Sequence, residues 1–550
     1  MPFAYQLTKM TRLYQRGDIM VRKRGEHGVI VLTAAFFISF TVITANYYRL
    51  ALEQKNVPAA QQSRIFTYEV GRCQGTIYDT KMRPLTNAET KLKAVAVPDM
   101  TDREITAEYA VDRDKFYEEY DKGLPFEFEC TSSAYESDGL TIFKVPRRYS
   151  ERQTARHVIG YLSDNEGADG VEYAYNSILR ADYPNNSVSY ETDGFGRILT
   201  GNGKSVFRTN SYKCGVVLTI DKDIQKICED CGKGIKTGAI VCADIKSGDI
   251  LAMASFPNYS PEKLDEAMEN KDCPLINRAL YSYSVGSVFK LVTAAEAIEE
   301  GAGDIVYDCS GSTDVDGRIF NCHKLDGHGI QTMSEALTNS CNTYFIELSQ
   351  CLDLEKLRER AYSLGFGREN YLCTGMIGSA GVLPTEKELS IPAEMANFSF
   401  GQGKLSATPL QITQLTCSIA NGGKKPVLRL IKGLTVDGET VGNEKKTRYS
   451  QVMSEDTAEQ LRKMMILAVR DNENSKAKTK KMSVGAKTST AQTGKTDAKG
   501  EELCHAWITG FFPARKPKYA VTVFIENGGY GNDAAAPVFR MIADRMSELD

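Results

Sequence analysis

The chain has 550 residues, of which 42% are hydrophobic and 25% are charged, as in a folded globular protein. A chain of this length is expected to form two or three domains. Its formal net charge of −4 at pH 7 is not the strongly basic balance of a nucleic-acid-binding domain. The composition therefore favours a multidomain globular protein and gives no support for nucleic acid as a partner.

An uncharged apolar stretch near the N-terminus predicts a membrane anchor. Residues 28–48 are long enough to cross a bilayer as one helix. The preceding segment is mainly basic, with Lys9, Arg12, Arg16, Arg22, Lys23 and Arg24 against Asp18 and Glu26. The positive-inside rule then places residues 1–27 in the cytoplasm and the rest of the chain outside. A cleaved signal peptide would usually be shorter and end at a small-residue site, so an uncleaved single-pass anchor is favoured.

Residues 49–210 mix short strand-like runs with polar helices and contain no catalytic constellation. A Thr-x-x-Glu capping box predicts one charged amphipathic helix from Thr101 to Tyr120. This segment is interpreted as a pedestal or dimerisation-type α+β domain, and a second domain is expected over residues 211–550.

The pattern of apolar runs after Gly215 predicts a mixed domain. Two such runs, at residues 239–244 and 250–254, are joined by Lys-Ser-Gly-Asp and predict a hairpin. Helices are expected around residues 287–300, 331–350 and 408–420, and further strands at residues 216–220, 506–511 and 519–525. Strands at both ends with helices between them predict an α+β fold with one antiparallel sheet flanked by helices.

Ser287 and Lys290 are a candidate nucleophile and base. Residues three apart lie on one face of a helix, so the lysine amine can reach the serine hydroxyl. Burial can lower the pKa of a lysine towards neutrality, and it can then take the serine proton as the oxygen attacks a carbonyl. An S-x-x-K pattern alone arises often by chance, so its meaning depends on motifs downstream.

Two downstream motifs complete an ordered signature. Ser340-Cys341-Asn342 is an S-x-N block, and Lys487-Thr488-Ser489-Thr490 follows the pattern K-T-(G/S)-T. With the flanking blocks, the chain from about Gly71 to near its C-terminus resembles class B penicillin-binding proteins, which are peptidoglycan D,D-transpeptidases. The flanking blocks are Tyr283-x-x-Gly286, Phe400-Gly401-Gln402-Gly403, Thr408-Pro409-Leu410-Gln411, His157-x-Ile159-Gly160-Tyr161 and Gly170-Val171-Glu172.

The resemblance implies a role for each motif. Ser287 would attack the D-Ala-D-Ala stem peptide with Lys290 as base, and Ser340 and Asn342 would relay protons and hold the substrate amide. Lys487, Thr488, Ser489 and Thr490 form the block that would bind the terminal carboxylate. The N–H groups of Ser287 and Thr490 would form the oxyanion hole. β-Lactams would acylate the same serine, and no organic cofactor is required.

Four positions depart from the family pattern. Val285 and Val288 stand where proline and threonine are usual, and Ala486 and Ser489 replace two glycines. Glycine permits close backbone approach, so a serine at position 489 is expected to narrow or re-polarise the cleft. Activity should survive, but the affinity for β-lactams, and with it antibiotic resistance, is open.

Cys309, Cys322, His328 and Cys341 are a candidate metal site. Three thiolates and an imidazole suit zinc, and four protein ligands would make the site structural. A Cys309–Cys322 disulfide and unlinked thiols are the open alternatives. The resemblance adds that some class B enzymes carry zinc at this location. A metal there would position the S-x-N block through Cys341.

The resemblance also implies partners, and it leaves two competing functions open. Peptidoglycan stem peptides would be the substrate. Glycan polymerisation would come from a membrane partner, a SEDS-family glycan polymerase, and a dimer through the pedestal is conceivable. A β-lactamase or β-lactam sensor of the same fold is one alternative, although neither needs a pedestal. A non-catalytic scaffold for wall synthesis is the other, although the motif residues are intact.

Overall fold

A computed structural model describes residues 27–49, 65–70, 74–180, 186–193, 195, 197–199, 201, 203–209, 214–436, 439–441, 447–497 and 499–549. The basic tail over residues 1–26, and with it most of the predicted cytoplasmic segment, lies outside the described residues. In chain order the helices are α1 (His27–Arg49), α2 (Arg103–Ala107), α3 (Arg113–Tyr120), α4 (Arg156–Ile159), α5 (Gly170–Ala174), α6 (Asn176–Leu179), α7 (Lys222–Cys231), α8 (Leu264–Glu269), α9 (Lys290–Glu299), α10 (Met333–Thr338), α11 (Asn342–Gln350), α12 (Leu354–Leu364), α13 (Glu386–Leu389), α14 (Pro392–Ser399), α15 (Pro409–Ala420), α16 (Glu455–Arg470) and α17 (Gly531–Met546).

The strands, again in chain order, are β1 (Ile65–Val70), β2 (Thr76–Tyr78), β3 (Glu89–Ala96), β4 (Phe126–Cys130), β5 (Leu140–Arg147), β6 (Leu162–Ser163), β7 (Glu166–Gly167), β8 (Asn186–Glu191), β9 (Ser205–Phe207), β10 (Cys214–Leu218), β11 (Gly238–Asp244), β12 (Ile250–Phe256), β13 (Tyr283–Ser284), β14 (Tyr307–Cys309), β15 (Ser312–Val315), β16 (Arg318–Asn321), β17 (Gly329–Gln331), β18 (Asn370–Cys373), β19 (Met376–Gly378), β20 (Ser406–Ala407), β21 (Lys424–Pro426), β22 (Ile431–Val436), β23 (Glu439–Val441), β24 (Tyr449–Gln451), β25 (Gly485–Thr496), β26 (Glu502–Phe512) and β27 (Tyr519–Ile525). Contacts divide the chain into two compact units, residues 1–70, 94–143 and 186–208, and residues 71–93, 144–185 and 209–550.

The larger unit is built on a five-stranded antiparallel sheet with the order β12-β11-β27-β26-β25. Side chains alternate between its two faces, as the pleat requires. Val241 and Phe524 pack into one apolar cluster with residues of α9 and α15, whereas Ile240 and Val523 pack into a second cluster with residues of α7 and α17. The sheet is therefore buried on both faces between layers of helices.

This architecture confirms the predicted α+β fold with one antiparallel sheet flanked by helices. The predicted hairpin is β11 and β12, and the predicted strand over residues 519–525 is β27. The segment expected to be helical around residues 331–350 contains two helices, α10 and α11, with a break that carries the S-x-N block. The domain boundary at residue 210 stays a prediction.

The smaller unit contains the apolar helix α1, the sheet β1-β8-β9, and β4 with the adjoining ends of β3 and β5. Its aromatic core centres on Phe116, whose ring lies 5.3 Å from that of Phe126 and 4.9 Å from that of Phe128. The prediction of one helix from Thr101 to Tyr120 is wrong, because the segment forms α2 and α3. Each has its own aspartate N-cap, Asp102 and Asp112, and such caps favour separate helix starts.

The apolar helix α1 spans 23 residues, His27–Arg49, which is long enough to cross a membrane. None of its strongest apolar window is buried inside the protein. This agrees with the predicted anchor over residues 28–48.

Candidate active site and metal centre

The predicted nucleophile lies in a tight turn before a buried helix. Gly286–Phe289 form one turn of 3-10 helix, and α9 continues from Lys290. Gly286 has a φ of +62°, and a Cβ atom there would lie 2.5 Å from Ser489 Oγ. Both constraints require glycine. The turn therefore holds the half-buried Ser287 at the N-terminal end of the helix.

Lys290 is fully buried and is held by two oxygen acceptors. Its Nζ donates hydrogen bonds to the backbone carbonyl of Ser340 at 2.6 Å and to Asn342 Oδ1 at 2.7 Å. Burial lowers the pKa of Lys290 well below its usual value; the charge of Lys487 lowers it further, and two nearby thiols oppose the shift. A neutral amine has two N–H groups, so with both engaged here its lone pair is left to accept a proton.

The S-x-N block connects α10 to α11. Ser340 has a φ of +53°, which is uncommon for a residue with a side chain and indicates that its surroundings hold it in place. Cys341 is fully buried and caps α11, and Asn342 is the first residue of that helix. Ser340 and Asn342 are half-buried. The outer two residues thus contact the two lysines, while the middle residue turns into the interior.

Lys487 lies on β25, the edge strand of the sheet, where one side of the backbone lacks a neighbouring strand. Its Nζ donates hydrogen bonds to Ser340 Oγ and to the Thr488 carbonyl, both at 3.0 Å. Burial lowers the pKa of Lys487 to about 7. The structure therefore brings Lys290, Ser340, Asn342 and Lys487 together.

The three residues after Lys487 alternate between two faces of β25. Thr488 and Thr490 are half-buried on one face, and Thr490 Oγ1 accepts a hydrogen bond from the Gly531 N–H at 3.2 Å. Ser489 is buried on the other face, where its hydroxyl donates to the Val285 carbonyl at 2.8 Å. The serine hydroxyl is thus directed at the backbone of the nucleophile turn rather than along the face that carries the threonines.

A cavity of about 380 Å³ adjoins this site and is lined in part by Ser340, Lys487 and Thr488. One residue that the motifs do not include also supports the nucleophile turn. The indole N–H of Trp507 donates to the Ser284 carbonyl at 3.0 Å. Trp507 is the only tryptophan in the sequence, and this rarity was the one available signal for it.

The four residues of the candidate metal site converge. Their ligand atoms all lie within 4.8 Å of one another. His328 Nδ1 lies 3.6 Å from Cys309 Sγ and 3.5 Å from Cys322 Sγ, and the Cys322 and Cys341 sulfurs are 3.8 Å apart. A tetrahedral zinc ion with its usual bond lengths sets ligand atoms about 3.5–3.8 Å apart. The donor set and these separations therefore fit a metal ion.

The surroundings of Cys322 and His328 favour the protonation states in which these two residues bind a metal. The hydrogen bond between the two thiols lowers the pKa of Cys322 and raises that of Cys341. Burial lowers the pKa of His328, which keeps the ring neutral. Thr343 Oγ1 donates towards Cys309 Sγ at 3.1 Å, and it also lies 3.3 Å from Cys341 Sγ. Thiolates and a neutral imidazole are the forms that bind zinc, and Thr343 would orient two of the thiolates.

Comparison with known proteins identifies relatives of this site. Residues 238–544, more than half of the chain, match the family described as penicillin binding protein transpeptidase domain. Stage V sporulation protein D of Bacillus subtilis is 32% identical over 425 residues, covering 73% of this chain and 64% of that protein. The chain thus spans just under two thirds of that relative's length. Peptidoglycan D,D-transpeptidase MrdA of Acinetobacter baumannii is 29% identical over 463 residues, covering 74% of this chain and 67% of the relative.

Solved structures share the fold. One of them belongs to a structure described as "Structural coordination of polymerization and crosslinking by a peptidoglycan synthase complex". Its TM-score is 0.67 at 24% identity, and the match covers 94% of this chain and 98% of the solved chain. Penicillin-binding protein A of M. tuberculosis, as a ceftriaxone acyl-enzyme complex, has a TM-score of 0.62 at 23% identity and covers 74% and 94%. Because the family model matches more than half of the chain, this protein belongs to the penicillin-binding protein transpeptidase family.

Proposed function

We propose that the chain is a membrane-anchored peptidoglycan D,D-transpeptidase that forms an acyl-enzyme on Ser287. The observation that supports this most strongly is the buried amine of Lys290, held between Ser340 and Asn342 and adjoining the nucleophile turn. Burial lowers the pKa of this amine well below its usual value, so that the amine can serve as a base. The relative named peptidoglycan D,D-transpeptidase supports the same chemistry.

Acylation would use the lone pair of Lys290. Ser287 Oγ attacks the carbonyl carbon between the two D-alanines while Lys290 Nζ takes the hydroxyl proton. The N–H groups of Ser287 and Thr490 stabilise the oxyanion that forms. When the intermediate collapses, the C–N bond breaks, and the proton that Lys290 took passes through Ser340 to the leaving nitrogen of D-alanine, which returns Lys290 to its neutral form. In the structure Lys290 donates hydrogen bonds to Ser340 and Asn342, and catalytic hydrogen bonds often tighten only in the substrate complex.

Recognition of the substrate would depend on the carboxylate at its end. Protonated Lys487 attracts that carboxylate, and the hydroxyls of Thr488 and Thr490 donate hydrogen bonds to it from one face of β25. Ser489 belongs to the same block, but its burial and its bond to Val285 support a role behind the strand. A β-lactam carries a carboxylate near its reactive carbonyl and would occupy the same position.

Transfer would complete the reaction. The amine of a second stem peptide attacks the ester carbonyl on Ser287, and Lys290 or Ser340 removes the amine proton as the Ser287 oxygen is released and reprotonated. The product is a peptide cross-link, and the free enzyme is restored. No organic cofactor is required for these steps.

We assign a zinc ion to Cys309, Cys322, His328 and Cys341. Four protein ligands leave no open position, so the metal would serve a structural purpose. Its support would reach the cleft through the chain itself, because Cys341 lies between Ser340 and Asn342. The thiols remain the alternative if no metal binds, and a Cys309–Cys322 disulfide would then compete.

Location and partners follow from the anchor and the family. α1 would hold the chain in the membrane with residues 1–27 cytoplasmic and the catalytic domain outside. Residues 49–210 would form the pedestal and residues 211–550 the transpeptidase domain. The resemblance to class B enzymes implies a SEDS-family glycan polymerase in the membrane as partner, and the structural neighbour described as a peptidoglycan synthase complex that couples polymerization and crosslinking supports a polymerising partner. The pedestal would also offer the surface for a dimer.

The activity is tested with a stem peptide that ends in D-Ala-D-Ala. Full-length protein in detergent should release D-alanine and, with an acceptor amine, form the cross-linked product measured by mass spectrometry. Ser287→Ala should abolish both, whereas the matched control Ser284→Ala should retain them. Rapid turnover of penicillin would instead identify a β-lactamase. A folded wild type that neither releases D-alanine nor reacts with penicillin would identify a scaffold.

A further inference from the structure

Two residues far apart in sequence meet directly behind the nucleophile. The Ser489 hydroxyl donates a hydrogen bond of 2.8 Å to the carbonyl of Val285. Ser489 is 3% exposed and Val285 is fully buried, so water does not compete for this bond. The bond joins the edge strand β25 to the residue that caps the turn Gly286–Phe289.

The position of this bond relates it to the oxyanion hole. On the strand, the peptide bond that follows Ser489 contains the N–H of Thr490. On the turn, only Gly286 separates Val285 from Ser287, whose N–H is the other proposed donor. One hydrogen bond and a short covalent path on each side therefore connect the two donors. Their separation must match the position of the oxyanion closely, because such donors act through fixed geometry.

Two further hydrogen bonds hold the turn and the residues that lead into it, and neither of them involves β25. The Trp507 indole holds the Ser284 carbonyl from β26 at 3.0 Å. The Gly286 N–H donates to the Gly401 carbonyl at 2.8 Å. The Ser489 bond is thus the one of these three that fixes the turn against the strand that carries Thr488 and Thr490.

The same contact explains why a side chain is accommodated at this position. Gly286 lies so close that a Cβ atom on it would fall 2.5 Å from Ser489 Oγ. The hydroxyl therefore fills the space beside a glycine that has no side chain of its own. Val285 and Ser489 are also two of the positions at which the chain departs from the family pattern, and here they are bonded to each other.

We propose that Ser489 is a positioning residue for acyl transfer, whose hydroxyl fixes the nucleophile turn against the substrate-binding strand. The inference rests on the proposed function, since it concerns the oxyanion hole of that reaction. It assigns Ser489 no contact with the substrate. Its loss should slow the chemical step and leave the initial binding of a β-lactam nearly unchanged, because Lys487, Thr488 and Thr490 stay in place.

The test measures acylation of the full-length protein by a fluorescent penicillin under rapid-mixing conditions. These separate the dissociation constant of the first complex from the rate constant of acylation. Ser489→Ala and Ser489→Gly should each lower the acylation rate constant by about tenfold, since small displacements of reacting groups carry large kinetic costs. Both should leave the dissociation constant within about twofold of the wild type.

Ser418→Ala is the matched control. Ser418 is equally buried and also donates to a backbone carbonyl, that of Gln414 at 2.8 Å, but within α15. It should lower thermal stability without changing the acylation rate constant.

Each other outcome overturns the inference. An unchanged rate constant in both Ser489 variants would show that the bond is merely structural, whatever the change in melting temperature. A loss in the alanine variant alone would implicate the Cβ methyl group that glycine lacks rather than the missing hydroxyl, and an equal loss in Ser418→Ala would show a general effect of destabilisation. If the wild type itself is not acylated at Ser287, the proposed function fails first, and this inference fails with it.

Discussion

The two sides of the S-x-N block contact different kinds of ionisable group. On one side, Ser340 and Asn342 contact the amines of Lys290 and Lys487. On the other side, Cys341 joins two thiols and an imidazole. The amines are buried, and burial lowers the pKa of each, whereas the thiol pair stabilises a thiolate on Cys322. A three-residue segment thus separates the two buried lysine amines of the catalytic cleft from a cluster of three cysteines and a histidine.

This difference shows how one segment can serve both regions. The cleft needs a neutral amine, which burial provides without any added group. The cluster gathers groups that are anionic when they bind a metal, and such a cluster is stable in the interior only with a cation. If the cluster holds zinc, the metal supports the positive-φ conformation of Ser340 from the side opposite the two lysines. Variants on the two sides of the block should therefore separate the loss of a catalytic group from the loss of structural support.

The largest effect is expected on the catalytic side. Lys290→Met keeps a long unbranched side chain in the buried site but removes the base. The rate of acylation by penicillin should fall by roughly a thousandfold, as for loss of a general base. Stopped-flow fluorescence measures it, and thermal unfolding checks that the variant is folded. A variant that acylates at more than about a tenth of the wild-type rate would exclude Lys290 as the base.

A smaller effect is expected from the metal side. Cys322→Ser should reduce the metal content from about one zinc ion per chain to a small fraction and lower the acylation rate by about tenfold, because Ser340 and Asn342 lose support. Elemental analysis and penicillin labelling measure the two quantities. Cys351→Ser, which removes an exposed thiol outside the cluster, is the control and should change neither. Wild-type protein that contains no metal after purification would contradict the zinc assignment.

The pH dependence should reveal Lys487. The protonated amine attracts the substrate carboxylate, and the pKa of Lys487 in the free protein is lowered to about 7. The second-order rate constant for acylation should therefore fall as pH rises above about 7, by up to about tenfold per pH unit, because it reports the free enzyme. Lys487→Arg stays charged and should lose this fall, even if it is slower overall. A rate constant for the wild type that is flat to about pH 9 would rule out this role.

The smallest effect concerns the turn alone. Trp507→Phe keeps an aromatic ring in the core but removes the hydrogen bond to the Ser284 carbonyl. It should lower the free energy of unfolding by about 1–3 kcal/mol, because a buried acceptor is left unpaired and the smaller ring leaves a gap. Acylation should slow by no more than a few-fold. Urea unfolding gives the free energy, and a variant as stable as the wild type would show that the bond contributes little.

Much of the fold could be predicted because its signals are local. The nearly continuous apolar run of β27 and the Lys-Ser-Gly-Asp turn of the hairpin each lie within a few residues of the element they specify. The spacing of the S-x-x-K, S-x-N and K-T-S-T motifs likewise identified the residues that meet at the cleft. The prediction over residues 101–120 was wrong because Asp112, which suits a helix interior poorly, caps a second helix instead.

Contacts between distant segments could not be predicted. The motif groups Ser489 with Thr488 and Thr490. The direction of the Ser489 side chain, however, depends on the pleat of β25 and on Val285, 204 residues earlier. Trp507 supports Ser284 across 223 residues, and no local pattern marks that bond. The cysteine cluster was suggested by residue types and by the resemblance to class B enzymes, but only the fold brings the Cys322 and Cys341 sulfurs to 3.8 Å from each other.

The central claim is that Ser287 is the acylated nucleophile of a site supported by zinc. Native mass spectrometry of the full-length protein before and after penicillin, followed by peptide mapping, measures both parts together. We expect one zinc ion per chain and one penicilloyl group located on Ser287. A folded protein that shows no adduct, or an adduct on another residue, would contradict the claim.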